Sequence, residues 1–162
     1  MSEIHGRTSL YLVQHGEAVP ETVDPERPLT AAGRSSVEQV ATWAKRHGLQ
    51  VDEIRHSGKL RAAQTAAILA AKLHPPRGVS VHPGLGPKDD VRPLARALAT
   101  HSGSLMIVGH LPFLTRLSGF LLAGDSERAL VDFRYAGLVG LTHDAEHWLI
   151  SCVVPPQLTA PG

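Results

Sequence analysis

The chain has 162 residues, 16 Lys and Arg against 15 Asp and Glu, and 43% hydrophobic residues, which suits one globular domain over 1–162 and excludes wholesale disorder. A formal charge of +1 and an aromatic content of 4% do not provide the basic footprint or the stacking residues of a nucleic-acid or membrane-surface binder. The lone Cys152 excludes an intrachain disulfide and a thiolate metal cluster and suits a reducing compartment, while ten histidines make the position of each worth following.

Met1–Arg7 carries no apolar targeting segment, and no apolar run reaches membrane-spanning length, so the expectation is a soluble cytoplasmic protein. Ser9–Val13 is a compact apolar run ending at Gln14-His15-Gly16, read as a buried strand that enters a loop. After a Pro-rich stretch, Thr30 is placed to cap a helix with Val37, Val40, Ala41 and Ala44 on one face, stopping at His47-Gly48. Val51–His56 is a second strand candidate, and Ala62–Leu73 a helix closed by Pro75-Pro76. A short strand near Val79–His82 leads to a turn-rich segment, Pro83–Pro87. Asp89 and Asp90 then suit the first turn of a helix reaching about Thr100.

Leu105–Val108 reads as a fully buried strand, and it too runs into a glycine and a histidine, Gly109-His110. Pro112 opens a helix carrying Leu114, Leu117, Phe120 and Leu121. Ala136–Thr142 and Trp148–Val154 read as paired strands, followed by a frayed tail over about 155–162. Alternating strands and helices predict a three-layer α/β/α sandwich with a mostly parallel central sheet and an antiparallel C-terminal addition. Ligands of open α/β sheets sit beyond the carboxyl ends of the strands. Gln14-His15-Gly16 and Gly109-His110 both lie at such ends, so the two histidines are expected to face one crevice.

Gly16, lacking a side chain, would allow a ligand close to the backbone. His110 precedes a helix whose first turn favours an anion. Arg61 follows the second strand, and Arg27 lies in the Pro-rich loop; a guanidinium matches phosphoryl oxygens with forked, permanently charged donors. The plain alternative for each arginine is a surface ion pair with Glu26 or Glu53. His5, His47, His56, His74, His82, His101, His143 and His147 show no zinc-helix spacing and are read as solvated or structural, so no metal and no cofactor is expected.

Four blocks in order, Leu12-Val13-Gln14-His15-Gly16-Glu17-Ala18, Arg27-Pro28-Leu29-Thr30, Ser57-Gly58-Lys59-Leu60-Arg61-Ala62-Ala63-Gln64-Thr65 and Val108-Gly109-His110-Leu111-Pro112, resemble the histidine phosphatase (phosphoglycerate mutase-like) superfamily and its small SixA-type phosphohistidine phosphatases. The resemblance implies a metal-independent two-step phosphoryl transfer. His15 would be the nucleophile, with His110 and Arg61 completing the catalytic set, and Arg27, Gln14, Arg61 and Gly16 binding phosphate. The implied partner is a histidine-phosphorylated protein such as a phosphotransfer domain in signal transduction, met by an enzyme expected to be a monomer. To attack, His15 needs its other ring nitrogen fixed by an acceptor, a backbone carbonyl for preference.

Two departures from the family pattern matter. Gln14 stands where an arginine is usual; a charge-assisted hydrogen bond contributes about 1.5–3 kcal/mol against about 1 kcal/mol for a neutral one, so turnover would fall roughly tenfold. The loop after the third strand offers Asp89 and Asp90 in place of the expected glutamate. A weak proton donor handicaps alkyl phosphoesters more than a P–N bond, which favours a phosphohistidine substrate. A small-molecule phosphomonoesterase, or a phosphate- or phosphoprotein-binding module weakened at Gln14, are the alternatives.

Overall fold

A computed structural model of the chain describes residues 7–160. The first strand, β1 (Thr8–Gln14), is buried along the apolar run that marks it in the sequence. Helix α1 (Ala31–Arg46) starts where Thr30 accepts the Gly33 N–H on its side-chain oxygen at 2.9 Å, and ends ahead of Gly48, whose φ of +71° only a glycine adopts without strain. Strand β2 (Glu53–His56) leads into α2 (Leu60–Leu73), then β3 (Val79–Val81), α3 (Arg92–Ala99) and β4 (Ser104–Gly109). Helix α4 (Phe113–Ala123) and the antiparallel pair β5 (Leu138–His143) and β6 (Trp148–Val154) follow.

The sheet order is β3-β2-β4-β1-β5-β6, parallel from β3 to β1 and antiparallel at β5 and β6. Leu10, Leu12, Leu105 and Ile107 meet Leu98 of α3 and Phe113, Leu114 and Leu117 of α4 on one face. Val13, Ile54, Met106 and Val108 meet Val37, Val40 and Ala41 of α1 and Ala62, Ala66 and Leu69 of α2 on the other. Period-two alternation along β1 and β4 thus divides the core between two helical layers, giving the expected α/β/α sandwich.

Three local expectations are corrected. Asp89 and Asp90 lie ahead of α3, not in its first turn, because Asp90 Oδ1 accepts the Arg92 N–H at 3.0 Å. Ala136 is not in a strand: its N–H reaches back to Gln14 O at 2.9 Å with φ at +62°, and β5 begins at Leu138. The tail is structured in its described part, where Pro156–Leu158 forms a 3₁₀ turn, Pro156 is buried, and the turn packs on α1. His5 lies outside the described residues.

Helix α1 is held against the loop after β1 at Gly33. A Cβ there would fall on the carbonyl oxygen of Glu17 and 2.8 Å from its nitrogen. Alanine in a helix interior is favoured over glycine by roughly 0.5–1 kcal/mol, while overpacking costs about 1–3 kcal/mol. Gly33→Ala is therefore expected to lower stability in urea denaturation, the steric cost outweighing the helix gain.

Candidate active site

Parallel pairing places Gln14 opposite Gly109, and the ladder continues as His15 N–H donates to Gly109 O at 3.0 Å. The next residue of each strand is a histidine, so His15 and His110 stand side by side at the carboxyl edge, their ring centroids 5.1 Å apart. Both are buried.

His15 Nδ1 lies 2.7 Å from Gly16 O. A carbonyl can only accept, so Nδ1 carries the proton and Nε2 keeps its lone pair. Arg61 Nε donates to that Nε2 at 3.3 Å. Burial pushes the His15 pKa from 6.5 to about 4; the Gly16 carbonyl opposes this, and the positive charges of Arg61 and Arg27 add to it. His110 falls to about 3, through burial first and then the charges of His15, Arg61, Lys59 and Arg27. Both rings are neutral at pH 7.

One face of α2 organises the neighbouring loops. Arg61, Gln64 and Thr65 sit at i, i+3 and i+4, hence on one side of the helix. Arg61 reaches His15, Gln64 Oε1 accepts the Leu29 N–H at 2.8 Å, and Thr65 Oγ1 accepts the Gly16 N–H at 3.0 Å while donating to Arg61 O at 2.8 Å. The loop carrying Arg27 is closed by an antiparallel bridge between Ala18 and Leu29. Arg27 itself adopts φ +51° and donates from Nε to Val19 O at 3.1 Å. Its charge lowers the proton affinity of His15, His110 and Arg61 alike, so it bears on the same spot. Among the described residues neither Arg27 nor Arg61 makes an ion pair; Glu53, the plain alternative partner, is taken by Arg55 at 2.9 Å.

Gly16 and the two aspartates depart from expectation. A Cβ on Gly16 would lie 2.8 Å from Val37 Cγ2 and 3.0 Å from Gly33 O, and its N–H is engaged by Thr65. Glycine is required there so that α1 can approach, and it offers phosphate neither open space nor a free donor. Asp89 Oδ2 accepts the Gly86 N–H at 2.7 Å, and Asp90 is gripped by Arg92 at 2.8 Å. Hydrogen bonds from Arg92 pull the Asp90 carboxyl down to about 2, which leaves no proton to give at neutral pH. Gln14 is 7% exposed, its backbone carbonyl holds Ala136, and its side-chain Oε1 is buried with no donor.

Two residues escaped the sequence reading as individual participants. Ser57 Oγ lies 2.6 Å from His110 Nε2 and also accepts the Lys59 N–H at 3.3 Å. The Ser57 hydroxyl and His110 Nε2 thus share one hydrogen bond, while His110 Nδ1 is a buried atom with no protein partner. Tyr135, whose ring centroid is 5.6 Å from that of His15, comes from the loop before β5. Of the other described histidines, His47 stacks on Trp43, His143 on Trp148, and His56 Nδ1 accepts the Gly58 N–H at 3.1 Å. Among the described residues no three His, Cys, Asp or Glu side chains converge as a metal site would require.

The arrangement is thus a neutral imidazole with an unprotonated nitrogen facing Arg61, two guanidinium groups without an ion-pair partner among the described residues, and a second buried imidazole, all at one sheet edge. Residues 10–86, which contain His15, Arg27 and Arg61, match the family model of the histidine phosphatase superfamily (branch 1). An uncharacterised protein of Picosynechococcus is 34% identical over 84% of this chain and 86% of its own length. The phosphohistidine phosphatase SixA of Escherichia coli is 30% identical over 72% of this chain and 76% of its own length. The structure of the protein histidine phosphatase SixA complexed with tungstate superposes with a TM-score of 0.82 at 24% identity, covering 92% of this chain and 97% of that one. With kinship along most of the sequence and the same fold beneath it, the chain belongs to the histidine phosphatase superfamily.

Proposed function

We propose that the protein is a phosphohistidine phosphatase that removes the phosphoryl group from a histidine-phosphorylated protein by way of a covalent intermediate on His15. The observation that carries this reading is the tautomer of His15: Nδ1–H is held by Gly16 O, so Nε2 points its lone pair toward the Arg61 guanidinium. The Nε2 lone pair attacks phosphorus, the bond from phosphorus to the substrate nitrogen breaks, and its electron pair departs with the substrate imidazole. Water then cleaves the new P–N bond on His15 and regenerates the neutral ring. Arg27, Arg61 and His110 would share the charge of the transferring phosphoryl oxygens, and with that charge met by side chains the proposed steps do not call for a metal.

Two further points support this substrate class. The SixA of Escherichia coli is named for phosphohistidine, and a protein histidine phosphatase SixA of the same fold was captured with tungstate, an oxyanion. With Asp90 clamped by Arg92 and Asp89 engaged by Gly86, neither aspartate of the loop after β3 stands ready to protonate an alkoxide. A P–N bond to an imidazole needs that help least. A protein that handles a phosphorelay partner would work in the cytoplasm, in signal transduction, and as a monomer.

Rapid acid-free quenching during turnover of a phosphohistidine protein is expected to trap an alkali-stable, acid-labile phosphoenzyme that vanishes in His15→Ala; turnover by wild type with no such species would overturn the mechanism. Ring NMR of His15 is expected to show titration near pH 4 with the proton on Nδ1 below full ionisation, against 6.5 for an ordinary histidine. The same shift has a stability counterpart. The unfolded ring takes up a proton near 6.5 and the folded one only near 4, so stability is expected to fall as pH drops across that interval and to be flat above it. Gln14→Arg restores a cation beside the phosphoryl group and is expected to raise kcat/KM roughly tenfold; creation of hydrolysis from an inactive wild type would instead favour a binding module.

A further inference from the structure

Tyr135 has no part in the chemistry above, yet it is built into the site with some force. The preceding and following residues are constrained: Ala136 is buried at φ +62°, an uncommon conformation for a residue with a side chain, and its N–H is shared between Gln14 O at 2.9 Å and His15 O at 3.3 Å. The Gly137 N–H closes the turn on Arg134 O at 2.9 Å. The nucleophile's own backbone thus fixes the loop, and the loop sets the Tyr135 ring 5.6 Å from His15 at a tilt of 46°. Tyr135 is 47% exposed, so it is not there to fill the core. On another side it borders a cavity of about 220 Å³ together with Glu17, Ser36, Arg134 and Gln157.

From this geometry we infer that Tyr135 is a specificity-determining residue that holds the leaving imidazole of the substrate against its π-face beside His15. The inference rests on the phosphohistidine reading and adds the element that recognises the ring. A phosphorylated imidazole leaves as neutral imidazole only if its second nitrogen carries a proton while the P–N bond breaks. The bond's electron pair then settles on the nitrogen that held phosphorus, and no further proton is needed. In that reactive form the ring is cationic, and a tyrosine face attracts a cation as well as stacking on a flat ring. The guanidinium groups of Arg27 and Arg61 work against any bare cation here, so the phosphoryl charge they bind must accompany the ring. Tyr135 therefore favours substrates in which a planar, protonated ring and a phosphoryl group arrive together, and gives no such help to an alkyl phosphate.

The test compares a phosphohistidine peptide with phosphoramidate, which offers a P–N bond but no ring, using wild type, Tyr135→Leu and Tyr135→Phe. The readout is the ratio of kcat/KM for peptide to that for phosphoramidate. Leucine keeps bulk without a π-face and is expected to lower the ratio roughly fivefold to tenfold; phenylalanine keeps it within about twofold. An unchanged ratio in Tyr135→Leu, or a fall in Tyr135→Phe as large as in Tyr135→Leu, overturns the inference while leaving the proposed activity in place. Wild-type turnover of phosphoramidate without turnover of the peptide overturns both the inference and the proposed substrate. Absence of turnover on both compounds overturns the enzymatic reading and the inference with it.

Discussion

Parallel pairing of β1 with β4 is the constraint on which the site depends. Gln14 faces Gly109 across the ladder, and each strand delivers a histidine at its next position. No loop has to search for its partner: the register that buries Leu10, Leu12, Leu105 and Ile107 also sets the two imidazoles 5.1 Å apart. A slip of one residue would turn the apolar side chains of β1 to the wrong helical layer and separate the histidines, so core and site stand or fall together. Helix α2 extends this logic sideways. Its Arg61, Gln64 and Thr65 occupy one helical face and tie the strand end, the Arg27 loop and His15 into one unit.

Electrostatically the site is built on a conflict resolved by burial. Placed near Arg27 and Arg61, an exposed histidine would still be protonated in part at neutral pH, and a protonated ring cannot attack phosphorus. Burial is the larger influence on both His15 and His110, and the nearby positive charges push in the same direction. The hydrogen bond from His15 to Gly16 O works the other way, since it supports a proton on the ring; its value lies in choosing which nitrogen holds that proton. Ser57 anchors the His110 ring through Nε2. One ring is thereby left with an acceptor facing the arginine, the other with Nδ1 facing no protein atom.

The layered fold and the convergence of His15, His110, Arg27 and Arg61 were legible because strand ends and helix caps follow from local pattern. Thr30 caps α1 as its side chain requires, and the Leu105–Val108 run could only be a buried strand. What escaped depends on contacts between segments far apart in the chain. Gly16 reads alike whether a ligand or a helix comes close, and only the position of Val37 and Gly33 decides for the helix. Asp89 and Asp90 carry the right charge for a helix start or an acid catalyst, but their loop geometry spends them on Gly86 and Arg92. Tyr135 sits in an irregular stretch whose placement is dictated by the backbone of Gln14 and His15, which no periodicity encodes. The segment after β6 reads in the sequence as a frayed terminus, yet buried Pro156 gives its described part an anchor on α1.

Arg27 and Arg61 make no ion pair among the described residues. Like charges without a counter-ion repel, and a tetrahedral oxyanion bound between them would relieve that repulsion. Under the proposed function the relief would not distinguish a phosphoryl group about to be transferred from the inorganic phosphate left behind, which would tie the speed of the cycle to product departure as well as to bond breaking.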